Sequence, residues 1–258
     1  VDTDPHRWRD ALRTTAARLT SVVTPLDGHA IRGRSYDSDW TIAQVMSHIG
    51  SQSEVFEQFL EAALAGEEVP TPDSFPPIWA RWDAKTPEEQ VRDALEAVAR
   101  HVACFDAIPD DQLASFRIEF FGMDLDAAGF INTRVSEFTL HTWDVEVPLQ
   151  PAATLEPQAV ELLVDVAPQM AARLAKPVSP PFRLWTHTLD AESDLLWDCA
   201  ETVTVEPGVG GDGDARVDLP AESLIRLLAG RLDPAHTPSS VTAAGVDLDE
   251  VRAIFPGY

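Results

Sequence analysis

The sequence predicts an α-helical bundle over residues 1–175 followed by a small α+β domain over residues 182–258. Three observations carry this. Apolar residues recur at helical spacing through four long segments, Lys176-Pro-Val-Ser-Pro-Pro181 interrupts every pattern, and beyond it the period shortens to the alternation of strands.

The first helix is expected from Pro5 to Val23, where Trp8, Leu12, Leu19 and Val22 fall near helical spacing and Pro5 suits a first turn. Turn chemistry follows in Thr24-Pro-Leu-Asp-Gly-His29. A second helix runs from Trp40 through His48 to about Ala65, with Ser38 or Asp39 as cap and Gly66 as stop. Residues 67–85 hold Pro70, Pro72, Pro76 and Pro77 and are expected as an irregular loop packed through Phe75, Trp79 and Trp82. Thr86-Pro-Glu-Glu opens a third helix, carried on by Val91, Leu95, Val98, Val102 and Phe105 and closed before Pro109. The fourth follows Gly129 and stops at Pro148, and a further helix spans Glu156 to Leu174. Four helices joined by loops read as a four-helix bundle. In the second domain, residues 182–189, 195–197 and 202–206 read as strands, 208–214 as a glycine-rich turn, 220–231 as an amphipathic helix and 241–246 as a last strand.

A formal charge of −24, from 19 Lys and Arg against 43 Asp and Glu, excludes a nucleic-acid or anionic-membrane surface, because phosphate binding needs clustered cations. Asp2, Asp4, His6, Arg7, Arg9 and Asp10 interrupt any secretory apolar run, and no segment approaches the roughly 20 apolar residues of a membrane span. A cytoplasmic protein is expected, and a monomer, since no spare amphipathic heptad stands out. Cys104 and Cys199 lack a CxxC partner and indicate neither a disulfide framework nor a cysteine zinc site.

The chemistry concentrates in Arg134-Val-Ser-Glu-Phe-Thr-Leu-His-Thr-Trp-Asp144. On a helix, Glu137 and His141 leave the same face one turn apart, with Asp144 a turn beyond and Arg134 a turn before. A carboxylate and an imidazole so placed can clip a metal ion that finds its third ligand elsewhere. His48, on the flank of the second helix, is the candidate. Each residue also has an ordinary role open to it: a hydrogen-bonded structural histidine, a Glu137 paired with Arg134, an Asp144 that orients a ligand histidine or merely meets solvent. His6, His29, His101, His187 and His236 have no second ligand at useful spacing; His101 is expected on the polar side of the third helix. The segment 208–213 lacks the strand-loop-helix context of a phosphate loop.

Trp40-Thr-Ile-Ala-Gln-Val-Met-Ser-His48 and the Arg134–Asp144 segment together resemble the mycothiol-dependent maleylpyruvate isomerase family, within the DinB-like metal-binding helical bundles. Leu227-Leu-Ala-Gly-Arg231 and the closing Phe255-Pro-Gly-Tyr258 are similar, more loosely, to that family's second domain of sterol-carrier type. The resemblance implies that His48, Glu137 and His141 hold zinc or another divalent metal and that mycothiol meets it through sulfur. Many relatives in the wider bundle family carry histidine where Glu137 stands, so a His-Glu-His set sides with the mycothiol-using branch.

Two histidines and a carboxylate leave a zinc ion an open position, which marks a catalytic site. A thiol there is held as thiolate, and the thiolate is the nucleophile. Adding to an electrophile and staying makes a thiol S-transferase; adding to a conjugated cis alkene, allowing rotation and leaving makes a cis-trans isomerase. The expected partners are thus a low-molecular-weight thiol and a small electrophile. For an anionic substrate the cationic candidates are Arg231 and Arg81, with Arg134 behind them. Hydrolysis through activated water and a non-catalytic metal-binding module are the alternative classes. Residues 67–85 and 117–129 are expected to shape the pocket.

Overall fold

The computed structural model describes residues 2–37, 39–208 and 213–257. Ser38, Tyr258 and the centre of the glycine-rich 208–214 segment lie outside the described residues. Residues 3–159 form one compact unit and residues 160–257 a second.

In the first unit, α1 (Pro5–Val23), α2 (Ile42–Ala65), α4 (Pro87–Asp106) and α6 (Ala127–Glu146) form the bundle, α2 packing on α4 and α6, and α1 on α6 and α4. Local chemistry sets their starts. Asp4 caps α1 by accepting from the His6 N–H at 3.0 Å. α2 begins at a capping box in which Gln44 N–H donates to Thr41 Oγ1 and Thr41 N–H to Gln44 Oε1, so the cap is Thr41 rather than Asp39. Thr86 and Glu89 make the same box for α4, and Asp126 caps α6.

The proline-bearing 67–85 segment is more regular than expected. Pro76 and Pro77 occupy the first turn of a short helix, α3 (Pro76–Asp83), where a missing N–H costs nothing. Gly50 of α2 gives α3 its seat: a Cβ there would run into the Trp82 ring. After α5 (Asp110–Ser115), β1 (Arg117–Phe120) and β2 (Met123–Asp126) pair as an antiparallel hairpin. Its turn is Phe121-Gly122, both at positive φ, and Phe121 is 58% exposed at the tip.

α4 also turns differently from its apolar pattern. Ala94, Ala97, Val98, His101 and Phe105 are buried, while Val91, Leu95 and Val102 are only partly covered. The two alanines let α4 approach α2 closely, and that rotation carries His101 into the core with no exposed surface. Phe56, Phe105, Phe116, Phe120 and Phe130 fill the same interior, with Phe56 stacked on Phe130 at 5.3 Å between centroids.

α7 (Pro157–Leu174) leads into the second unit, a five-stranded sheet ordered β5-β4-β3-β6-β7. Its strands are β3 (Phe182–Thr188), β4 (Leu195–Cys199), β5 (Thr204–Pro207), β6 (Ala215–Leu219) and β7 (Thr242–Ala244). β3 and β6 are parallel, and the other neighbours antiparallel. β6 and the closing helix α9 (Leu248–Ile254) are elements the sequence reading left out. One sheet face is buried through Leu184, Trp197, Val217 and Leu219; α8 (Ala221–Leu228) buries Leu224 and Leu228, and Trp197 meets Phe255 at 5.6 Å. Among the described residues no helix is long and apolar enough to cross a membrane. The fold class is therefore α plus α+β, as expected.

Candidate metal centre

His48 leaves α2 two turns after the Thr41 cap, and Glu137 and His141 leave α6 one turn apart. The packing of α2 on α6 brings the three together. His48 Nε2 lies 3.4 Å and His141 Nε2 3.5 Å from the same Glu137 oxygen, Oε2. The imidazole rings meet edge to face at 4.9 Å between centroids. One donor atom from each residue lies within 4.8 Å of the others, the single such group of three among the described residues.

The spacing suits a metal. Ligand atoms about 2.0–2.1 Å from a tetrahedral zinc ion stand roughly 3.3 Å from one another, close to the two Glu137 separations. The supporting bonds suit it too. His141 Nδ1 lies 2.9 Å from Asp144 Oδ2, and Asp144 is completely buried. A carboxylate there fixes the tautomer with hydrogen on Nδ1 and points Nε2 at the centre. Asp144 is itself held: its carbonyl accepts from Tyr36 N–H at 2.8 Å, and Tyr36 packs on Trp143 at 4.7 Å. The same approach segment carries Trp40, whose ring covers His48 at 5.3 Å.

Without a metal, the three groups share charge. Burial and the neighbouring His141 push His48 down against the pull of Glu137, so it stays neutral at pH 7. His141 is also buried, but its bonds to Asp144 and Glu137 outweigh that cost and raise it to about 9. Glu137 resists burial through the two histidines and stays well below the usual carboxylate range. An anionic carboxylate between two imidazoles is a cation site.

Arg134, Arg81 and Arg231 each have partners of their own. Arg134 is buried one turn below Glu137 and forms no ion pair with it; Nε donates to His101 Nε2 at 3.3 Å, and Nη2 lies 3.5 Å from Ser53 Oγ. Arg81, on α3, is exposed and paired with Glu54 of α2, whose other oxygen accepts from Trp82 Nε1 at 3.1 Å. Arg231 belongs to the second unit, where its Nη1 donates to the Ala229 carbonyl at 2.8 Å. Trp40, Ser53 and His101 were not anticipated. Trp40 lies two turns before His48, a spacing that could have flagged it, and His101 falls three residues after Val98 and four before Phe105, on the buried face of α4.

Residues 12–146 match the family model described as mycothiol maleylpyruvate isomerase N-terminal domain. The chain belongs to that family. Among solved structures it is similar to the crystal structure of the mycothiol-dependent maleylpyruvate isomerase, with a TM-score of 0.69, 16% identity and 94% of each chain covered. A crystal structure of a histidine-to-alanine mutant of that isomerase matches with the same values. At that identity the likeness shows a shared fold, here extending through both units. No curated protein matches the chain significantly in sequence. The family match covers both α2 and α6, and so contains His48, Glu137 and His141.

Proposed function

We propose that the protein is a metal-dependent enzyme that uses mycothiol as a nucleophile, as a cis-trans isomerase of maleylpyruvate type or as a thiol S-transferase. The convergence of one donor atom each from His48, Glu137 and His141 within 4.8 Å carries the proposal, together with membership of the family. With a metal bound, the ligand set would be two neutral imidazoles and one carboxylate. When bound, zinc or a similar divalent ion would supply the positive charge that keeps an incoming thiol as thiolate at neutral pH.

The chain's own groups do the rest. His48 presents an unprotonated Nε2, and His141, oriented by Asp144 through Nδ1, would do so once a metal displaced its Nε2 proton. Glu137 brings one negative charge, leaving the loaded site net positive and receptive to an anionic sulfur. In the isomerase reaction the sulfur lone pair forms a C–S bond to the cis alkene while the π electrons move to the conjugated carbonyl. The former double bond rotates, the electrons return, and the C–S bond breaks to give the trans alkene and the thiolate. In the transferase reaction the C–S bond stays and carbon takes a proton. Arg231 and Arg81 are the proposed contacts for an anionic substrate, which the metal alone cannot orient.

The test couples metal content to thiol dependence. Protein purified without chelators is expected to carry one divalent ion by elemental mass spectrometry, lost in His141→Ala, and to consume maleylpyruvate only with mycothiol. Turnover without any thiol supports hydrolysis instead. Turnover undiminished in His48→Ala overturns the site.

A further inference from the structure

Arg134 is 1% exposed, yet among the described residues no carboxylate bonds to it. Its neighbours are the rings of Phe56 and Phe138, with the guanidinium carbon 4.4 and 4.9 Å from their centroids, and two neutral acceptors at long range, His101 Nε2 and Ser53 Oγ. Nη1 is buried with no hydrogen-bond partner among the described residues. His101 cannot supply a countercharge, because an imidazole is neutral or cationic, and burial and the adjacent guanidinium keep it neutral. Glu57, the other acid that Arg134 feels, is engaged by Arg100 at 3.1 Å. A buried arginine left this way is costly to the fold.

The charge has one nearby use. Arg134 lies on α6 one turn below Glu137 and two below His141, which places it beneath the ligand set. We infer that Arg134 is a positioning residue for charge: a permanent cation under the metal site that biases the open coordination position toward anions, thiolate above all, at some cost in metal affinity. This deepens the proposed function and rests on His48, Glu137 and His141 binding a metal. Aromatic faces hold the guanidinium without neutralising it, whereas a carboxylate partner would cancel the field. With a separation of roughly 9 Å and an effective dielectric constant of about 20, one charge changes anion affinity roughly twentyfold.

The experiment uses cobalt-loaded full-length protein, followed by its visible absorption, titrated with thiocyanate as the anionic probe and with imidazole at pH 8 as the neutral one. Arg134→Met is expected to weaken thiocyanate roughly twentyfold, leave imidazole within about twofold and bind cobalt no more weakly than wild type. Arg134→Lys is expected to restore thiocyanate. If the methionine variant does not fold, Arg134→Gln, which keeps a donor for His101 and Ser53, takes its place with the same expectation. Equal thiocyanate affinity in the neutral variant overturns the inference, and so does a parallel loss of thiocyanate, imidazole and cobalt, which marks a structural role. Wild-type protein that binds no cobalt overturns the proposed function, and this inference with it.

Discussion

Loading the metal-free protein with zinc at pH 7 is expected to release close to one proton, and that proton comes from His141. Burial disfavours the imidazolium, but Asp144 Oδ2 at 2.9 Å and Glu137 Oε2 at 3.5 Å more than compensate, raising it to about 9. Asp144 accepts a hydrogen bond from Nδ1–H, so the proton facing the ligand centre is the one on Nε2, and a metal must displace it. His48 is pushed down and contributes none; Glu137 is already ionised. Two units below its midpoint His141 is about 99% protonated, which lowers apparent zinc affinity about 100-fold, or about 3 kcal/mol. Apparent affinity should then rise about tenfold per pH unit from 6.5 to 8.5.

Calorimetry in two buffers of different ionisation enthalpy reads the released proton directly, and chelator competition across the pH range reads the slope. Heats independent of buffer at pH 7, with a flat affinity profile, would refute the reasoning. The same group links pH to stability in the metal-free protein. Its folded value lies above the unfolded one, so its contribution is complete below about 6.5 and is lost as pH rises through about 9, an amount of about 3 kcal/mol. Metal-free protein should therefore melt lower at pH 9.5 than at pH 7, more steeply than Asp144→Asn.

Asp144→Asn is expected to keep helix content by circular dichroism while zinc affinity falls roughly 10- to 100-fold, because an amide no longer holds the His141 ring by charge. Gly50→Ala should cost about 1–3 kcal/mol in urea unfolding, since the new methyl enters the Trp82 ring, and a smaller residue at Trp82 should return part of it. Phe255→Ala should cost about 3–5 kcal/mol, by removing a ring 2% exposed and packed on Trp197. A loss below about 1 kcal/mol in the same assay would mean that the closing segment is not part of the C-terminal core.

The Glu137/His141 pair on α6 was legible because it needs only local geometry: residues four apart on a helix must share a face, whatever the tertiary packing. His48 was legible in a weaker sense. Its place on the flank of α2 allows a meeting with α6 but does not require one, and it was the paired segments that singled it out. Element ends were read less well where two signals compete. Ser38 and Asp39 are good cap types, yet Thr41 takes the role because Gln44 answers it three residues on. Prolines over 67–85 suggested irregular chain, although two of them at a first turn start α3 equally well. β6 was missed despite the clean alternation of Ala-Arg-Val-Asp-Leu, its five residues lying between a glycine-rich stretch and a proline; in the fold it sits beside β3 inside the sheet.

Arg134 and His101 mark where sequence reasoning runs out. Both are polar residues on amphipathic helices, and solvent or an ion pair with Glu137 is the ordinary expectation for such side chains. Two features reverse it. Ala94 and Ala97 turn α4 so that His101 faces inward, and Phe56 and Phe138 build an aromatic wall that tolerates a guanidinium. Neither feature has a signature at the polar residue itself, because the environment comes from other helices. The Glu137/His141 pair is set by spacing along one helix and can be read in advance; the burial of Arg134 below it is set by the packing of neighbouring helices and becomes visible only when the bundle is assembled.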